Sequence, residues 1–283
     1  MISVIVPTCN RNDLLSSCLD KLNPAIQRAG FGSYEVIVTD DSEENLAKKL
    51  IETKYNWTKW VEGPKKGPAA NRNNGAKHAK EDWLVFLDDD CKPDFSLIEN
   101  YVKGIKENPG HKVFEGAIRA DREQIRFDEE APVNAQGGYL FSCNFAIQKT
   151  YFNQLKGFDE RFPFPAMEDT ELAYRIRKDK NDLFFLEGAL VIHPWRRKNS
   201  IVKMSLKRFD AALYFIEKYP CEENKFGFQY YFMAFLRQGF DTFKYAFKFR
   251  FRGLSKKILL DVMQLYFAFY MLFKNLPTSF LTK

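Results

Sequence analysis

Three consecutive carboxylates, Asp88, Asp89 and Asp90, directly follow the apolar run of residues 83–87. Such a run is typical of a buried β-strand, so the sequence places three acids at a strand end. Adjacent carboxylates repel one another unless a cation compensates them, and hard oxygen ligands select Mg²⁺ or Mn²⁺. We therefore predict a divalent-metal site that leaves room for substrate phosphates. The alternative is a solvated acidic turn.

The elements that must position these acids alternate along the chain. Residues 2–6 and 35–39 are short β-branched apolar runs, and residues 12–28 between them carry apolar side chains at helical spacing. The repeated order of strand, polar tip and helix predicts an α/β fold with an open, mostly parallel, Rossmann-like sheet flanked by helices. Because such sheets bind ligands beyond the carboxyl ends of their strands, we expect the acids to gather at one edge.

Further elements are predicted downstream by the same patterns. Helices are expected at residues 43–53, 67–80 and 170–178, and strands at residues 113–118, 145–147 and 189–193. From about residue 198 the pattern becomes helical, which predicts a C-terminal helical appendage.

Charge is distributed unevenly between these two parts. The net charge is +6, but residues 196–283 contain 17 Lys or Arg against 6 Asp or Glu. We predict two regions: a first domain at residues 1–197, which contains the predicted metal site, and a basic, aromatic-rich helical region at residues 198–283.

A transmembrane helix is not expected in the predicted C-terminal region. Its longest uncharged run, residues 262–273, has 12 residues, whereas a spanning helix needs about 20. Aromatic residues interleaved with Lys and Arg favour helices that lie on an anionic membrane surface. The alternative is packing on the catalytic domain or on a second subunit of a homo-oligomer.

Several classes are disfavoured by composition. The five cysteines form no C-x-x-C pair, which opposes a zinc knuckle and a disulfide-stapled secreted domain. The N-terminus enters a strand without a secretory leader, so we expect a cytoplasmic protein, peripheral on the inner face of the membrane if it binds there. No RNA- or DNA-binding motif accompanies the basic tail, and nucleic acid is not an expected partner.

Four motifs, in order, resemble those of the family-2 glycosyltransferases. They are residues 4–11, residues 38–42, the aspartate triplet, and Glu168-Asp169 after residues 157–160. The resemblance covers residues 1–195. It implies a GT-A fold and an inverting, metal-dependent transfer of a sugar from a nucleoside-diphosphate sugar, UDP-linked by expectation. The implied acceptor is a glycan or lipid-linked molecule in the synthesis of a surface polysaccharide.

The resemblance also implies a nucleotide-binding set: Pro7, Thr8, Asn10, Arg11, Asp40, Asp41, Arg72, Asp88 and Asp89. A carboxylate suits this task because it accepts the imide N–H of uracil or a ribose hydroxyl. Asp40 and Asp41 can equally form a helix N-cap, and both roles can hold together. An ion pair with Asp40 or Asp41 is the alternative to a ligand contact for Arg72.

By the same resemblance, Asp88 and Asp90 are the outer members of an Asp-x-Asp metal motif, with Asp90 the expected direct ligand. His193 at a later strand end is a further metal ligand, because a neutral imidazole binds metals, or else a structural hydrogen-bonding residue. The expected cofactor is Mn²⁺ or Mg²⁺, acting on the diphosphate leaving group as a Lewis acid.

The catalytic base implied by the family is Asp169. A sugar hydroxyl is a poor nucleophile, so a carboxylate must accept its proton during attack. Glu168, Glu171 and Asn144 are the expected acceptor-supporting residues, and Glu168 lies just after the loop of residues 163–165. The alternative is that these acids merely begin a helix.

Two other functions compete with this interpretation. A sugar nucleotidyltransferase is disfavoured because the N-terminus lacks a glycine-rich phosphate loop. A non-catalytic, membrane-associated nucleotide- or glycan-binding protein is the second alternative.

Overall fold

The computed structural model describes residues 1–30, 32–162 and 166–274. The chain divides into two compact units, one of residues 1–122 and 131–194, and the other of residues 123–130 and 195–283. The predicted segment of residues 163–165 and the last nine residues of the predicted C-terminal region lie outside the described residues.

The first unit contains an eight-stranded sheet. In chain order its strands are β1 (Ile2–Thr8), β2 (Tyr34–Asp40), β3 (Lys59–Glu62), β4 (Trp83–Leu87), β5 (Lys92–Pro93), β6 (Val113–Ala120), β8 (Asn144–Gln148) and β9 (Phe184–His193). The short strand β7 (Glu129–Glu130) belongs to the second unit. The spatial order of the strands in the sheet is β3-β2-β1-β4-β8-β6-β9-β5. Strands β3, β2, β1 and β4 are mutually parallel, as are β6 and β9, whereas β8 and β5 run antiparallel to their neighbours.

Among the described residues of this unit, six helices flank the sheet: α1 (Asn12–Leu22), α2 (Leu46–Lys54), α3 (Pro68–His78), α4 (Leu97–Glu107), α5 (Lys149–Gln154) and α6 (Glu168–Lys178). The helix predicted for residues 12–28 ends at Leu22 because Pro24 disfavours helical geometry at Asn23. Strand β3 and helix α4 were not predicted, and β3 has only four residues of mixed polarity.

Strand alternation distributes the core onto both faces of the sheet. Ile2, Val4 and Val6 of β1 pack with α1, α2 and α4, whereas Ile5 packs with α3, α5 and α6. Helix α3 lies very close to the sheet, since a Cβ added at Gly75 would be 2.5 Å from the Cγ2 atom of Ile5. This close packing fixes the polar residues of α3 relative to the strand ends.

The parallel register brings the polar strand tips together. Thr8 at the end of β1 pairs with Asp40 at the end of β2, and β4 ends at Leu87, directly before the aspartate triplet. The prediction of an α/β fold with acids at one sheet edge and helices after it is confirmed. The antiparallel strands make the second half of the sheet mixed, which the sequence did not predict.

The second unit is mainly helical. It contains α7 (Ile201–Lys218), a 3₁₀ helix (Pro220–Phe226), α8 (Phe228–Tyr245) and α9 (Leu254–Phe273), and β7 pairs with β10 (Arg196–Arg197). Phe209 of α7 stacks on Phe267 of α9 with ring centroids 4.1 Å apart. Within the part of the chain that the structure describes, no helix is both long and apolar enough to cross a membrane.

Candidate functional site

Asp89 is the fully buried centre of the triplet and joins β4 to the loop after β1. The Thr8 hydroxyl donates a hydrogen bond to its Oδ2 atom at 2.7 Å, and the Arg11 guanidinium lies 2.7 Å from its Oδ1 atom. Asp89 therefore holds two residues of the predicted nucleotide-binding set, and the partly exposed Arg11 guanidinium lies at the rim of the site.

Asp90 faces His193, which closes strand β9. The two side chains are buried, and the Nε2 atom of His193 is 3.4 Å from the Oδ1 atom of Asp90. The Nδ1 atom lies 2.9 Å from the carbonyl oxygen of Pro194. Because a carbonyl only accepts, Nδ1 carries the hydrogen in this contact, which leaves Nε2, the nitrogen that faces Asp90, as the ring atom available to a metal. A carboxylate oxygen and an imidazole nitrogen that face each other fit a divalent cation between them.

Cys91 lies in the same cluster, since ligand atoms of Asp90, Cys91 and His193 are all within 4.8 Å of one another. Its thiol, however, donates to the carbonyl oxygen of Cys143 at 3.7 Å. A side-chain hydrogen bond with Cys143 and burial raise the pKa of Cys91 well above its ordinary value. Since the Cys91 thiol is engaged with Cys143, the donors that fit a hard ion here are the Asp90 carboxylate and the His193 imidazole.

Arg72 of α3 bridges the triplet to the start of α6. Its Nη2 atom is 2.7 Å from the Oδ1 atom of Asp88, and its Nη1 atom is 3.0 Å from the Oε1 atom of Glu168. Burial opposes the charge, but the two carboxylates raise the pKa of Arg72 above its usual value. Arg72 thus forms ion pairs with Asp88 and Glu168, whereas the sequence analysis had given Asp40 or Asp41 as its possible partners.

The residues on either side of Arg72 fix two further parts of the site. The Asn71 amide donates to the carbonyl oxygens of Thr8 at 3.3 Å and Thr39 at 3.0 Å, which holds the ends of β1 and β2 together. The Asn73 amide donates to the carbonyl oxygen of Phe158 and accepts from its N–H, both at 2.9 Å. Helix α3 is therefore the frame that sets the strand tips against the segment leading into α6.

Glu168 and Asp169 form an acidic pair at the start of α6. Burial and the Asp169 charge raise the pKa of Glu168 to about 7, although Arg72 opposes this. Burial also raises the pKa of Asp169, whose Oδ2 atom accepts the Ser142 N–H at 3.3 Å. The buried Oε2 atom of Glu168 has no hydrogen-bond partner within the described residues. Carboxyls with raised pKa values are suited to accept a proton in a reaction.

Asp40 and Asp41 order the chain beyond β2. The buried Asp40 accepts the N–H groups of Ser42 at 3.0 Å and Ala47 at 2.9 Å, so it caps α2. Asp41 accepts the N–H groups of Lys65 and Gly67, and burial raises its pKa. Asp40 thus has the helix-capping contacts that the sequence analysis gave as an alternative. Asp41 is less buried than Asp40 and is the more accessible of the two to a nucleotide.

Four other predicted site residues occupy different surroundings. Pro7 is buried within β1, and Asn10 is exposed with a left-handed φ of 56°. The Asn144 amide donates to the carbonyl oxygens of two neighbouring strands and accepts the hydroxyl of Tyr101 at 2.8 Å. The Glu171 carboxylate accepts from Arg175 at 2.9 Å. The geometry of Asn144 and Glu171 favours structural roles, and their acceptor-binding roles stay predictions.

Glu115 is a site-forming residue that the sequence reasoning missed. It is fully buried in β6 and accepts the N–H groups of Gly138 at 2.9 Å and Tyr139 at 3.1 Å and the Asn134 amide at 3.0 Å. It therefore shapes the glycine-containing segment that leads to Ser142. The available signal was a single acid inside the apolar run of residues 113–118.

Residues 3–156, more than half of the chain, match the protein family described as Glycosyl transferase family 2. The chain belongs to glycosyl transferase family 2. This family-2 protein is 25% identical over 215 residues to the GalNAc(5)-diNAcBac-PP-undecaprenol beta-1,3-glucosyltransferase of Campylobacter jejuni, an alignment that covers 71% of this chain and 66% of the relative. The chain spans as little as 14% of the length of another curated relative that it matches.

Two solved structures show that this family-2 chain has the expected GT-A fold. S. aureus TarS 1–349 in complex with UDP-GlcNAc is 21% identical, with a TM-score of 0.57 over 76% of this chain and 66% of that chain. The mannosyltransferase PcManGT from Pyrobaculum calidifontis, in complex with GDP-Man and Mn²⁺, is 18% identical, with a TM-score of 0.59 over 99% of this chain and 77% of that chain. The fold and the family predicted from the four motifs are confirmed.

Proposed function

We propose that the protein transfers a sugar from a UDP-linked donor to a glycan or lipid-linked acceptor during surface-polysaccharide synthesis, with inversion and with bound Mn²⁺ or Mg²⁺. The observation that carries this proposal is the ion-pair bridge of Arg72. It joins Asp88, in the acidic tip of β4, to Glu168, beside the proton-accepting Asp169. A leaving-group site and a base site are thereby held at a fixed separation.

The relatives support the coarse chemistry. The Campylobacter relative is named as a glucosyltransferase for an undecaprenol-linked substrate. TarS was solved with UDP-GlcNAc, and PcManGT with GDP-Man and Mn²⁺. The choice of UDP, of sugar and of acceptor for the present chain belongs to the proposal, because such choices depend on a few pocket contacts.

The metal fits the residues that are present. Asp90 and the Nε2 atom of His193 would hold it, with the partly exposed Asp88 nearby in the same triplet. A bound Mn²⁺ or Mg²⁺ supplies Lewis-acid stabilisation of the diphosphate charge. Arg11 and Thr8, fixed by Asp89, together with Asn10 and Asp41, contribute the nucleotide contacts.

Asp169 accepts the proton of the acceptor hydroxyl. Its carboxylate is oriented by the Ser142 N–H, and its raised pKa makes it a stronger base than an ordinary aspartate. The acceptor oxygen forms a bond to the anomeric carbon while the bond from that carbon to the diphosphate oxygen breaks. The electron pair leaves with the nucleoside diphosphate, and this single displacement inverts the anomeric configuration.

The proposal assigns donor binding and catalysis to residues 1–197, on the cytoplasmic side of the membrane. Residues 198–283 then serve attachment, either to a membrane surface or in a homo-oligomer. Their charge and aromatic content support attachment to an anionic surface.

A donor screen tests this function. Purified protein is incubated with UDP-, GDP- and dTDP-sugars, with Mn²⁺ or with EDTA, and nucleotide release is measured. We expect Mn²⁺-dependent release of a nucleoside diphosphate, which Asp169→Asn reduces by at least about 10²-fold. Asp82→Asn is the matched control, because Asp82 precedes β4 at the opposite end of the strand from the triplet.

Other results of the screen would favour the competing functions. Release of pyrophosphate with formation of a nucleotide sugar would indicate a nucleotidyltransferase. Binding of a donor with no turnover of any donor and acceptor would indicate a non-catalytic binding protein. Either result would refute the proposed transfer.

A further inference from the structure

The end of α8 and the turn between α8 and α9 display three aromatic side chains to solvent. Phe243, Phe247 and Phe251 are 81%, 78% and 53% exposed, and the rings of Phe247 and Phe251 lie 5.4 Å apart. Exposed aromatic clusters of this kind are unfavourable in water and mark interaction surfaces. We call these three residues the aromatic tip.

The backbone holds the aromatic tip in a defined shape. The Phe251 N–H donates to the carbonyl oxygen of Ala246 at 2.9 Å, and the Arg250 N–H donates to that of Phe247 at 3.0 Å. This bonding pattern commonly has glycine at its left-handed position, yet Arg250 and Phe251 have φ values of 49° and 59°. A residue with a Cβ adopts this region at a cost, so the turn presents its side chains against a local preference.

A buried residue anchors the same turn. Phe249 is only 7% exposed and packs on Phe127 with ring centroids 4.9 Å apart. The turn therefore buries Phe249 within the second unit, whereas Phe247 and Phe251, two residues before and after it, are exposed. The aromatic tip is a fixed projection rather than an unstructured tail.

Helix α8 continues the apolar surface away from the aromatic tip. Met233, Leu236 and Phe240 are exposed at a spacing of three and four residues that leads to Phe243, so they share one helix face. Arg237 and Lys244 lie seven residues apart, beside this face. An apolar stripe with cations along its border is the pattern of a helix at a lipid–water interface.

The charge around the aromatic tip decides which partner fits. Residues 241–257 contain six Lys or Arg and one acid, Asp241, and Lys248 also lies 3.5 Å from Glu123 of another segment. Lys256 and Lys257 are used internally by Asp128 and Asp261. The cations that border the tip are Lys244, Lys248, Arg250 and Arg252. A second copy docked through this surface would bring like charges together, whereas anionic lipid headgroups would complement them.

We propose that the aromatic tip inserts into the surface of an anionic phospholipid bilayer, with the bordering Lys and Arg contacting lipid phosphates. The three rings lie at the headgroup boundary, and α8 lies along the surface on its exposed apolar face. The proposed transfer reaction supplies a reason for this placement, since a lipid-linked acceptor resides there, but docking does not depend on catalysis.

Vesicle flotation of the full chain tests the docking. Phosphatidylcholine vesicles with a quarter of phosphatidylglycerol are compared with pure phosphatidylcholine, at low and high NaCl. We expect flotation with the anionic vesicles, weakened by salt. Phe247→Ser should lower the partition coefficient roughly tenfold, since it removes an aromatic side chain that the bilayer would bury, and Lys248→Gln should lower it roughly fivefold. Phe95→Ser, at a half-exposed aromatic residue of the first unit, is the matched control and should change neither the partition coefficient nor its dependence on salt.

A second readout does not depend on removing apolar surface. In Phe247→Trp, the additional fluorescence should shift to the blue and be quenched by brominated lipid when anionic vesicles are added, and Phe95→Trp should show neither effect. Failure of the wild type to float, or equal spectra for both tryptophan variants, would overturn the proposal. Loss of a stable dimer in Phe247→Ser without vesicle binding would also overturn it and indicate a second copy instead. Donor hydrolysis by Phe247→Ser should stay at the wild-type level, which separates failed docking from failed catalysis.

Discussion

Replacing Arg72 with methionine removes the positive charge that Asp88 and Glu168 share. Arg72 is almost completely buried, with guanidinium nitrogens 2.7 Å and 3.0 Å from the two carboxylates. Breaking a buried ion pair by removing one partner costs about 3–5 kcal/mol, because the remaining charge stays in a medium of low polarity. Asp88 is 24% exposed, so water relieves part of the cost on that side. We expect a loss of about 3 kcal/mol in the free energy of unfolding near pH 8.

The pH dependence of the free energy of unfolding should show that Glu168 is the source of this loss. In the wild type the pKa of Glu168 is about 7 in the folded state, against an ordinary 4.5. The folded state therefore binds more protons than the unfolded state between these values, and the unfolding free energy falls as pH rises through that window. The fall is about 3 kcal/mol at roughly 1.4 kcal/mol per pKa unit.

In Arg72→Met the pKa of Glu168 rises further, because burial and the Asp169 charge act without the opposing guanidinium. The fall in stability then continues above pH 7. The difference between the variant and the wild type should therefore be small near about pH 5 and largest above about pH 8. Adding Glu168→Gln to Arg72→Met should restore much of the stability at high pH.

Urea unfolding in EDTA, followed by circular dichroism across this pH range, measures both effects. Arg119→Met is the control, since Arg119 forms an exposed ion pair with Glu187 at 3.7 Å and should change stability by less than about 1 kcal/mol. A pH-independent loss in Arg72→Met, or a loss no larger than in the control, would refute the role of Arg72 as the buried bridge.

Two further substitutions test the frame of the site by the same unfolding measurement. Gly75→Ala places a methyl group 2.5 Å from a β1 side chain and should lower the free energy of unfolding by about 1–3 kcal/mol. Gly110→Ala places its methyl group in open space and should leave the stability nearly unchanged. Equal effects of the two substitutions would contradict the close packing of α3. Asp40→Ala removes the acceptor of the Ser42 and Ala47 N–H groups and should cost about 2–4 kcal/mol. A cost within error of zero would show that Asp40 does not hold α2.

The sequence predicted the location of the acidic edge because that inference needs only strand order. Apolar runs before Asp40 and Asp88 gave two strand ends, and parallel pairing with β1 places them on either side of the end of β1. The helical pattern and polar tips were sufficient for the α/β fold. Local patterns were also sufficient for the helical character of the second unit.

The partners of the site residues could not be predicted in this way. Arg72 and Glu168 are 96 residues apart, and their contact depends on how closely α3 approaches the sheet and on where α6 begins. The structural contacts of Asn144 depend on β8 lying between β4 and β6, an antiparallel insertion that no local pattern indicated. Glu115 was overlooked because an acid within an apolar strand has meaning only when the N–H groups that it binds are known.

The most direct test of the proposed mechanism is a paired measurement of donor binding and turnover in Asp169→Asn, with Mn²⁺ and a UDP-sugar identified by the screen. If Asp169 accepts the proton while Asp90 and His193 hold the metal, the variant should bind the donor with wild-type affinity and lose turnover by at least about 10²-fold. Asp90→Ala should instead lose the Mn²⁺-dependent part of donor binding. Turnover by Asp169→Asn at the wild-type rate would contradict the assignment of the base and with it the central claim.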